Sequence, residues 1–331
     1  MTLSMKKIKV ALVGLGGMGT GHYRAYEGID EMELVAVCDV RINESELKEK
    51  LEGKSLNLYD DLDEMLGKEQ PDMVDIVTPS YLHADMVIKC LKKGINVLCE
   101  KPMTLTEEEA ERILSVAKNA KAKFMVAHVV RFMKPYAYLA EEIRKGEIGK
   151  LLRIDFRRIS SVPKWSWNDW MRDEERSGGV GMDLSIHDID FAQSVLGLPE
   201  EVSCIYRPLK DNSSYIISAL KYKDAVVTCE GAWYNADIPF SAEFYAYFDD
   251  GYIYFKDGTL IKNGEKIELQ NSVGGEDFGI NISGDDAYQS EIRYFIDCIL
   301  TGKEPERVTP ESSAESIKLV RKLLENTIFK I

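Results

Sequence analysis

The amino-acid sequence predicts two domains of different design: an α/β domain on a doubly wound parallel sheet over residues 1–127, then an α+β domain over residues 128–331 on a large, mainly antiparallel open sheet. Three observations predict it. The chain has 331 residues, and at roughly 100–200 residues per domain that length suits two. Over the first 130 or so residues, short apolar β-branched runs alternate with helical patterns, which is how a parallel sheet with crossover helices reads. Past about Gly149 the grammar changes to strand runs joined by tight-turn dipeptides, Asp250-Gly251, Asp257-Gly258 and Asn263-Gly264.

Taken in order, the first-domain strands are expected at Ile8 to Val13, Glu33 to Cys38, Met73 to Thr78, Asn96 to Cys99 and Lys123 to His128. Between Leu82 and Lys93, Ala84, Val87, Ile88 and Leu91 recur at helical spacing, and Gly94 follows as a stop. Thr106 stands three residues before Glu109, the capping-box spacing, ahead of a helix through Ala110, Ile113, Leu114 and Ala117. In the second domain Tyr215 to Tyr222 and Ala225 to Tyr234 read as strands. Helices are expected near Met182 to Leu196, Tyr288 to Leu300 and Ser313 to Leu324.

Composition narrows the function. Lys and Arg number 42 against 56 Asp and Glu, a formal net charge of −14, which repels a polyanion and argues against a nucleic-acid partner. No apolar run approaches the ~20 residues that span a bilayer. Lys6 and Lys7 lead directly into the first strand without a separate apolar signal core, so a cytoplasmic protein is expected. The six cysteines are scattered and form no CxxC pair; they read as buried free thiols, and no metal site is expected.

The chemistry begins at Gly14-Leu15-Gly16-Gly17-Met18-Gly19, a GxGxxG run directly after a buried strand and before a helix-compatible stretch. Gly14 permits the tight turn, Gly16 lets backbone approach a pyrophosphate, and Gly19 allows close helix–sheet packing; the amides of the following helix, from Gly17 and Met18 on, face the phosphates. Asp39 ends the second strand 20 residues after Gly19, the spacing of a carboxylate that binds the adenosine ribose hydroxyls. It favours NAD over NADP by repelling a 2′-phosphate. Arg41 leaves NADP open, since it can either stack on adenine or reach that phosphate. The strand Asn96 to Cys99 leads into Glu100-Lys101-Pro102 at the carboxyl edge, where ligands gather in an open α/β sheet. A lysine there can hold a substrate hydroxyl and assist its deprotonation.

Glu100-Lys101-Pro102 after such a fingerprint resembles the Gfo/Idh/MocA oxidoreductases. So does Gly178-Gly179-Val180-Gly181-Met182-Asp183-Leu184-Ser185-Ile186-His187-Asp188-Ile189-Asp190, which is similar to that family's GG…D…H..D segment. The resemblance covers nearly the whole chain and implies a Rossmann domain followed by a substrate domain. It makes Lys101 the catalytic lysine, Asp183 a substrate-binding residue and His187 the proton acceptor. Asp183 and His187 stand at i and i+4, so a helical turn puts both on one face. Thr78-Pro79-Ser80-Tyr81-Leu82-His83 resembles the nicotinamide loop, with Ser80 where members usually carry Asn; Thr78, Pro79 and His83 are its cofactor candidates, together with Glu100. His128 and Arg131 fall in the segment that joins the domains, where Arg131 reads as a cofactor contact or an interdomain salt bridge and His128 as a substrate contact. Trp165, Trp167 and Trp170 crowd one stretch, whose flat rings suit sugar faces; Trp165 is the substrate candidate there, and Tyr288 is another.

The implied activity is hydride transfer between a secondary alcohol of a sugar, cyclitol or related polyol and NAD(P). The alternatives are an NAD-dependent glycosidase that works through transient oxidation and a non-catalytic dinucleotide- or ligand-sensing regulator. One face of the second sheet is expected to remain uncovered by helices and to pair copies into a homodimer or homotetramer.

Overall fold

The computed structural model describes residues 7–269 and 287–327. It divides into two compact units, Met1–Ala127 with Tyr288–Ala314, and His128–Ala287 with Glu315–Ile331. Residues 288–314, which the sequence reading assigns to the second domain, therefore cluster with the first.

Elements are numbered along the chain. The first unit runs β1 (Ile8–Val13), α1 (Gly17–Ala25), β2 (Met32–Cys38), α2 (Ser45–Lys50), β3 (Asn57–Tyr59), α3 (Leu62–Glu69), β4 (Met73–Ile76), α4 (His83–Lys92), β5 (Asn96–Glu100), α5 (Glu107–Ala117) and β6 (Phe124–Ala127). All six strands are parallel, in the order β3-β2-β1-β4-β5-β6. This is the doubly wound order whose direction reverses between β1 and β4. Val10 through Val13 and Val97 through Cys99 are fully or almost fully buried, as expected of strands covered on both faces. All five expected strands form, each with end shifts of two residues or fewer. The short β3 has no counterpart in the sequence reading, because Asn57-Leu58-Tyr59 offers too few residues for a period. Thr106 caps α5 as expected, its Oγ1 accepting from the Glu109 amide at 3.2 Å.

The second unit runs α6 (Lys134–Lys145), β7 (Leu151–Ser161), α7 (Glu174–Ser177), α8 (Ile186–Leu196), β8 (Glu201–Pro208), β9 (Ser214–Lys221), β10 (Val226–Tyr234), β11 (Ser241–Phe248), β12 (Gly251–Lys256), β13 (Thr259–Lys262) and β14 (Glu265–Lys266). The helix α9 (Ala287–Thr301) returns the chain to the first unit, and α10 (Pro310–Glu325) carries it back. The eight strands lie in the order β14-β13-β12-β11-β7-β10-β9-β8. The pairing of β7 with β10 is parallel and the others are antiparallel. All three tight-turn dipeptides sit at hairpins of this sheet.

One face of the sheet is covered. Tyr136 of α6, Phe156 of β7, Phe191 of α8 and Phe244 of β11 form an aromatic core, with Tyr136 edge-on to Phe191 at 5.0 Å between centroids. At Gly231 on β10 a Cβ would come within 2.9 Å of the Ser185 side chain, so this glycine lets the segment before α8 lie directly on the sheet. On the other face Ile217, Val226, Tyr247 and Tyr252 are exposed, and Tyr245 stacks on Tyr254 at 5.5 Å. Among the described residues no helix is long and apolar enough to cross a membrane.

Candidate cofactor and catalytic sites

The loop after β1 has the shape its glycines demand. Gly14 lies at φ +95°, and a Cβ there would stand 2.5 Å from the Val77 carbonyl oxygen. A Cβ on Gly19 would stand 2.1 Å from the Gly14 carbonyl oxygen. Both positions are closed to side chains by backbone. Gly16 differs: its Cβ direction meets nothing within 4 Å, and with Gly17 and Met18 it forms the partly exposed rim at the start of α1. Open space in front of a glycine, at a helix N-terminus and at the reversal point of the sheet, fits a pyrophosphate.

Asp39 directly follows β2, its carboxylate held on both oxygens, Oδ2 accepting from the Leu15 amide and Oδ1 from the Arg41 amide, each at 2.8 Å. Each oxygen has a second lone pair for a ribose hydroxyl. Arg41 Nε stands 3.7 Å from Asp39 Oδ1, and Nη1 stands 3.8 Å from Glu44. The arginine thus turns toward carboxylates. These residues together fit a dinucleotide.

Not every expected cofactor residue faces outward. Both ring nitrogens of His83 meet backbone carbonyls, Nδ1 that of Pro102 at 2.8 Å and Nε2 that of Thr78 at 2.9 Å. The buried ring brackets the Thr78-Pro79 turn to the loop after β5. Burial pushes its pKa down, against the pull of the two carbonyls. Glu100 is likewise turned inward. Its Oε1 meets His22 Nε2 at 3.0 Å and its Oε2 accepts from the Lys101 amide at 2.9 Å.

Lys101 is placed differently from its neighbours. Across residues 97–105 every residue is buried except Lys101, which is partly exposed. The same pattern recurs in the second unit: across residues 181–193 every residue is buried except Asp183 and His187. Asp183 lies in a π-helical turn, Gly181–Ser185, that runs directly into α8. Such a turn is frequent at functional sites, and Asp183 within it and His187 just after it are both partly exposed.

The residues on either side of His187 are anchored. Asp188 accepts from Arg158 of β7 on both oxygens, at 2.7 and 3.0 Å, and Tyr136 joins them. Asp190 accepts from Arg131 on both oxygens, at 2.7 and 2.8 Å, and from Ser316 at 2.7 Å. His128 Nδ1 stands 3.3 Å from the same carboxylate. Burial works to raise the Asp190 pKa, but Arg131 and His128 outweigh it and hold it below the usual carboxylate value. Arg131, read as a cofactor contact or an interdomain salt bridge, thus makes a bidentate ion pair inside the second unit. His128 is buried against the same aspartate.

Trp165 and Trp167 are about half exposed, at 54% and 44%. Trp165, Lys164, Asn235 and Asp237 line a cavity of about 610 Å³ in the second unit. Tyr288, on α9, packs its ring 5.5 Å from that of His22 in the first unit. All six cysteines are buried and free, as expected, and no cluster of metal-ligating side chains occurs among the described residues. Sequence reasoning passed over His22, Asp75 and Glu291, three fully buried titratable residues of the first unit. The signal was present: Asp75 interrupts an otherwise apolar strand, Met73–Ile76.

Comparison with known proteins agrees with this fold. Residues 8–128 match an oxidoreductase family described as having an NAD-binding Rossmann fold, and residues 136–254 match the C-terminal domain of the same family. Rhizopine catabolism protein MocA of Rhizobium meliloti is 30% identical over 236 residues, 65% of this chain and 71% of that protein. A myo-inositol 2-dehydrogenase of Thermotoga maritima is 32% identical over 202 residues, 60% of this chain and 57% of that one. A 2,7-anhydro-N-acetylneuraminate hydratase of Mediterraneibacter gnavus is 32% identical over 200 residues, 60% and 52% of the two chains. The matched stretch spans little more than half the length of these last two relatives. Among solved structures, myo-inositol 2-dehydrogenase from Lactobacillus plantarum superposes with a TM-score of 0.80 over 97% of each chain at 23% identity, a likeness of fold. A glycine loop closed at Gly14 and Gly19 but open at Gly16, the strand order of its sheet and matches over both domains lead to one conclusion: the chain belongs to the Gfo/Idh/MocA oxidoreductase family, whose first domain is the NAD-binding Rossmann fold.

Proposed function

We propose that the protein is an NAD(P)-dependent dehydrogenase that oxidises a secondary alcohol of a sugar, cyclitol or related polyol, with NAD the preferred cofactor. The observation that carries this reading is the exposure pattern: Lys101, Asp183 and His187 are the partly exposed residues of otherwise buried segments. A purely structural role would not need a lysine, an aspartate and a histidine at those openings. Relatives named as inositol and glucoside dehydrogenases support the substrate class.

Gly14 to Gly19 and Asp39 would hold the dinucleotide, which when bound supplies the hydride acceptor. His187 takes the hydroxyl proton, imidazole being the side chain that changes charge near neutrality. Lys101, as an ammonium, steadies the developing alkoxide. Asp183 accepts a hydrogen bond from a neighbouring hydroxyl and so selects the carbon that reacts. Trp165 offers a flat apolar face for a sugar ring.

The test is a panel of sugars, inositols and amino sugars screened with NAD and with NADP, reading absorbance of the reduced nicotinamide. With the substrate found, Lys101→Ala and His187→Ala should each cut turnover by roughly 10²–10⁴-fold while NAD affinity changes little. Wild-type turnover in either variant removes that residue from the mechanism. The hydratase relative favours a second reading, in which oxidation is transient and no reduced cofactor is released; product formation without accumulating NADH would select it. The exposed aromatic and aliphatic face of the second sheet supports a homodimer or homotetramer, and a monomer mass by light scattering would refute it. Six free buried thiols suit the reducing cytoplasm.

A further inference from the structure

In the first unit a histidine that the proposed reaction does not use sits between two carboxylates. His22, on α1 three residues beyond Gly19, is fully buried. Its Nδ1 stands 2.8 Å from Asp75 Oδ2 on β4, and its Nε2 stands 3.0 Å from Glu100 Oε1 at the end of β5. Ionised carboxylates only accept, so with Asp75 and Glu100 both ionised the two contacts are hydrogen bonds only when the ring carries two protons. The other Glu100 oxygen, Oε2, receives the backbone amide of Lys101 at 2.9 Å.

We propose that His22 is a positioning residue for Lys101: as an imidazolium it bridges Asp75 and Glu100, and so fixes the carboxylate that anchors the Lys101 backbone. The inference rests on the reading of Lys101 as catalytic. It also ties the lysine to the helix that starts at the pyrophosphate loop, since His22 and Gly19 share α1.

The surroundings favour the charged ring. Burial opposes the charge, yet the field of Asp75 and the hydrogen bonds to Asp75 and Glu100 carry the His22 pKa well above its ordinary value. Tyr26 donates to Asp75 Oδ2 at 2.7 Å, and Tyr288 covers the ring. From α9 comes Glu291, fully buried, with neither carboxylate oxygen hydrogen-bonded among the described residues. Burial, then the charge of Glu100, push its pKa well up, with Asp75 adding and His22 and Arg307 opposing. Neither Glu291 oxygen hydrogen-bonds to the ring among the described residues, so the imidazolium is left to the two carboxylates it touches. When pH rises far enough to take one proton from His22, one carboxylate faces a lone pair instead of a donor, and the anchor of Lys101 loosens.

The test uses the full chain with NAD bound. Nitrogen-15 NMR of labelled histidine should show both His22 nitrogens protonated above pH 7.5, where a free imidazole is neutral; a ring titrating at the ordinary value overturns the proposal without any variant. Competitive acylation by acetic anhydride, read by mass spectrometry, reports the environment of Lys101. His22→Gln should change Lys101 labelling by about threefold or more while exposed Lys68 is unaffected, and in a Glu100→Gln background it should add nothing, because both substitutions cut one path. Unchanged Lys101 labelling, or fully additive effects, overturns it. With substrate, His22→Gln should lower kcat by up to roughly 10²-fold, as a misplaced group does, with the NAD dissociation constant moved less than about threefold. An active Lys101→Ala would instead refute the catalytic reading, and leaves the NMR and labelling results standing.

Discussion

The two units hold their chemical residues in opposite ways. In the second unit His187 rides on a helix whose next residues are pinned by Arg158 to Asp188 and Arg131 to Asp190, two bidentate pairs with permanently charged guanidinium groups. In the first, Lys101 leaves the end of a strand and is held through Glu100 by His22, an imidazolium that, unlike a guanidinium, can be titrated, its pKa carried, against burial, well above the ordinary imidazole value by Asp75 and Glu100. The contrast follows from the elements. A helix presents successive residues around its axis, so the neighbours of His187 point into the protein and can be clamped separately. A strand end offers only its backbone and one flanking side chain.

The largest effect should come from the guanidinium side of this comparison. Arg158→Met leaves Asp188 buried without its partner, and losing one member of a buried pair costs about 3–5 kcal/mol; urea unfolding should show it. A loss below about 1 kcal/mol would mean the pair is not what holds α8. Next come the glycines that set the entry to α1. Gly19→Ala drives a methyl into the Gly14 carbonyl and should cost about 1–3 kcal/mol of stability as overpacking. Gly16→Ala faces open space and should leave stability unchanged while weakening NAD by roughly tenfold, about 1.4 kcal/mol. Calorimetric titration and thermal unfolding of both variants separate folding from binding.

pH should distinguish the two anchoring devices. The raised pKa of His22 contributes stability that is complete below its unfolded value, near 6.5, and is lost as pH rises through the higher folded value. Glu291, also raised, acts in the same direction, its contribution complete below the unfolded carboxylate range and lost as pH rises. The lowered carboxylate Asp190 behaves oppositely: its contribution is complete above the unfolded carboxylate value and is lost as pH falls through the folded one. Alkaline weakening between pH 7 and 9.5 should therefore be shallower in His22→Gln than in wild type and unaltered in Arg131→Lys. Equal slopes in all three would remove the contrast. Smallest is a local cap outside either device: Thr106→Ala should cost about 1 kcal/mol by denaturant titration and leave turnover untouched.

Much of the candidate site was legible because its chemistry is local. The glycine spacing, the Glu100-Lys101-Pro102 turn and the i, i+4 relation of Asp183 to His187 are read along the chain, and each concerns residues a few positions apart. The resemblance implies cofactor roles for His83 and Glu100, and for Arg131 a cofactor contact or an interdomain salt bridge; in the structure their polar atoms meet Pro102 and Thr78, His22, and Asp190. Nothing local in a buried polar residue says which distant group will satisfy it.

By itself the sequence determined the class of each half, the five longer strands of the parallel sheet, the hairpins of the second sheet and the place of Lys101 just past the end of a strand. These depend on hydrophobic period, turn stereochemistry and short-range spacing. Only the tertiary structure decided that residues 288–314 return to the first unit, that β7 and β10 pair in parallel, and that His22 meets Asp75 and Glu100 across 53 and 78 residues of chain. The reason is physical: a buried charge must find its counter-charge wherever the packed elements bring one within hydrogen-bond reach, and that meeting is a property of the sheet order and not of any stretch of sequence.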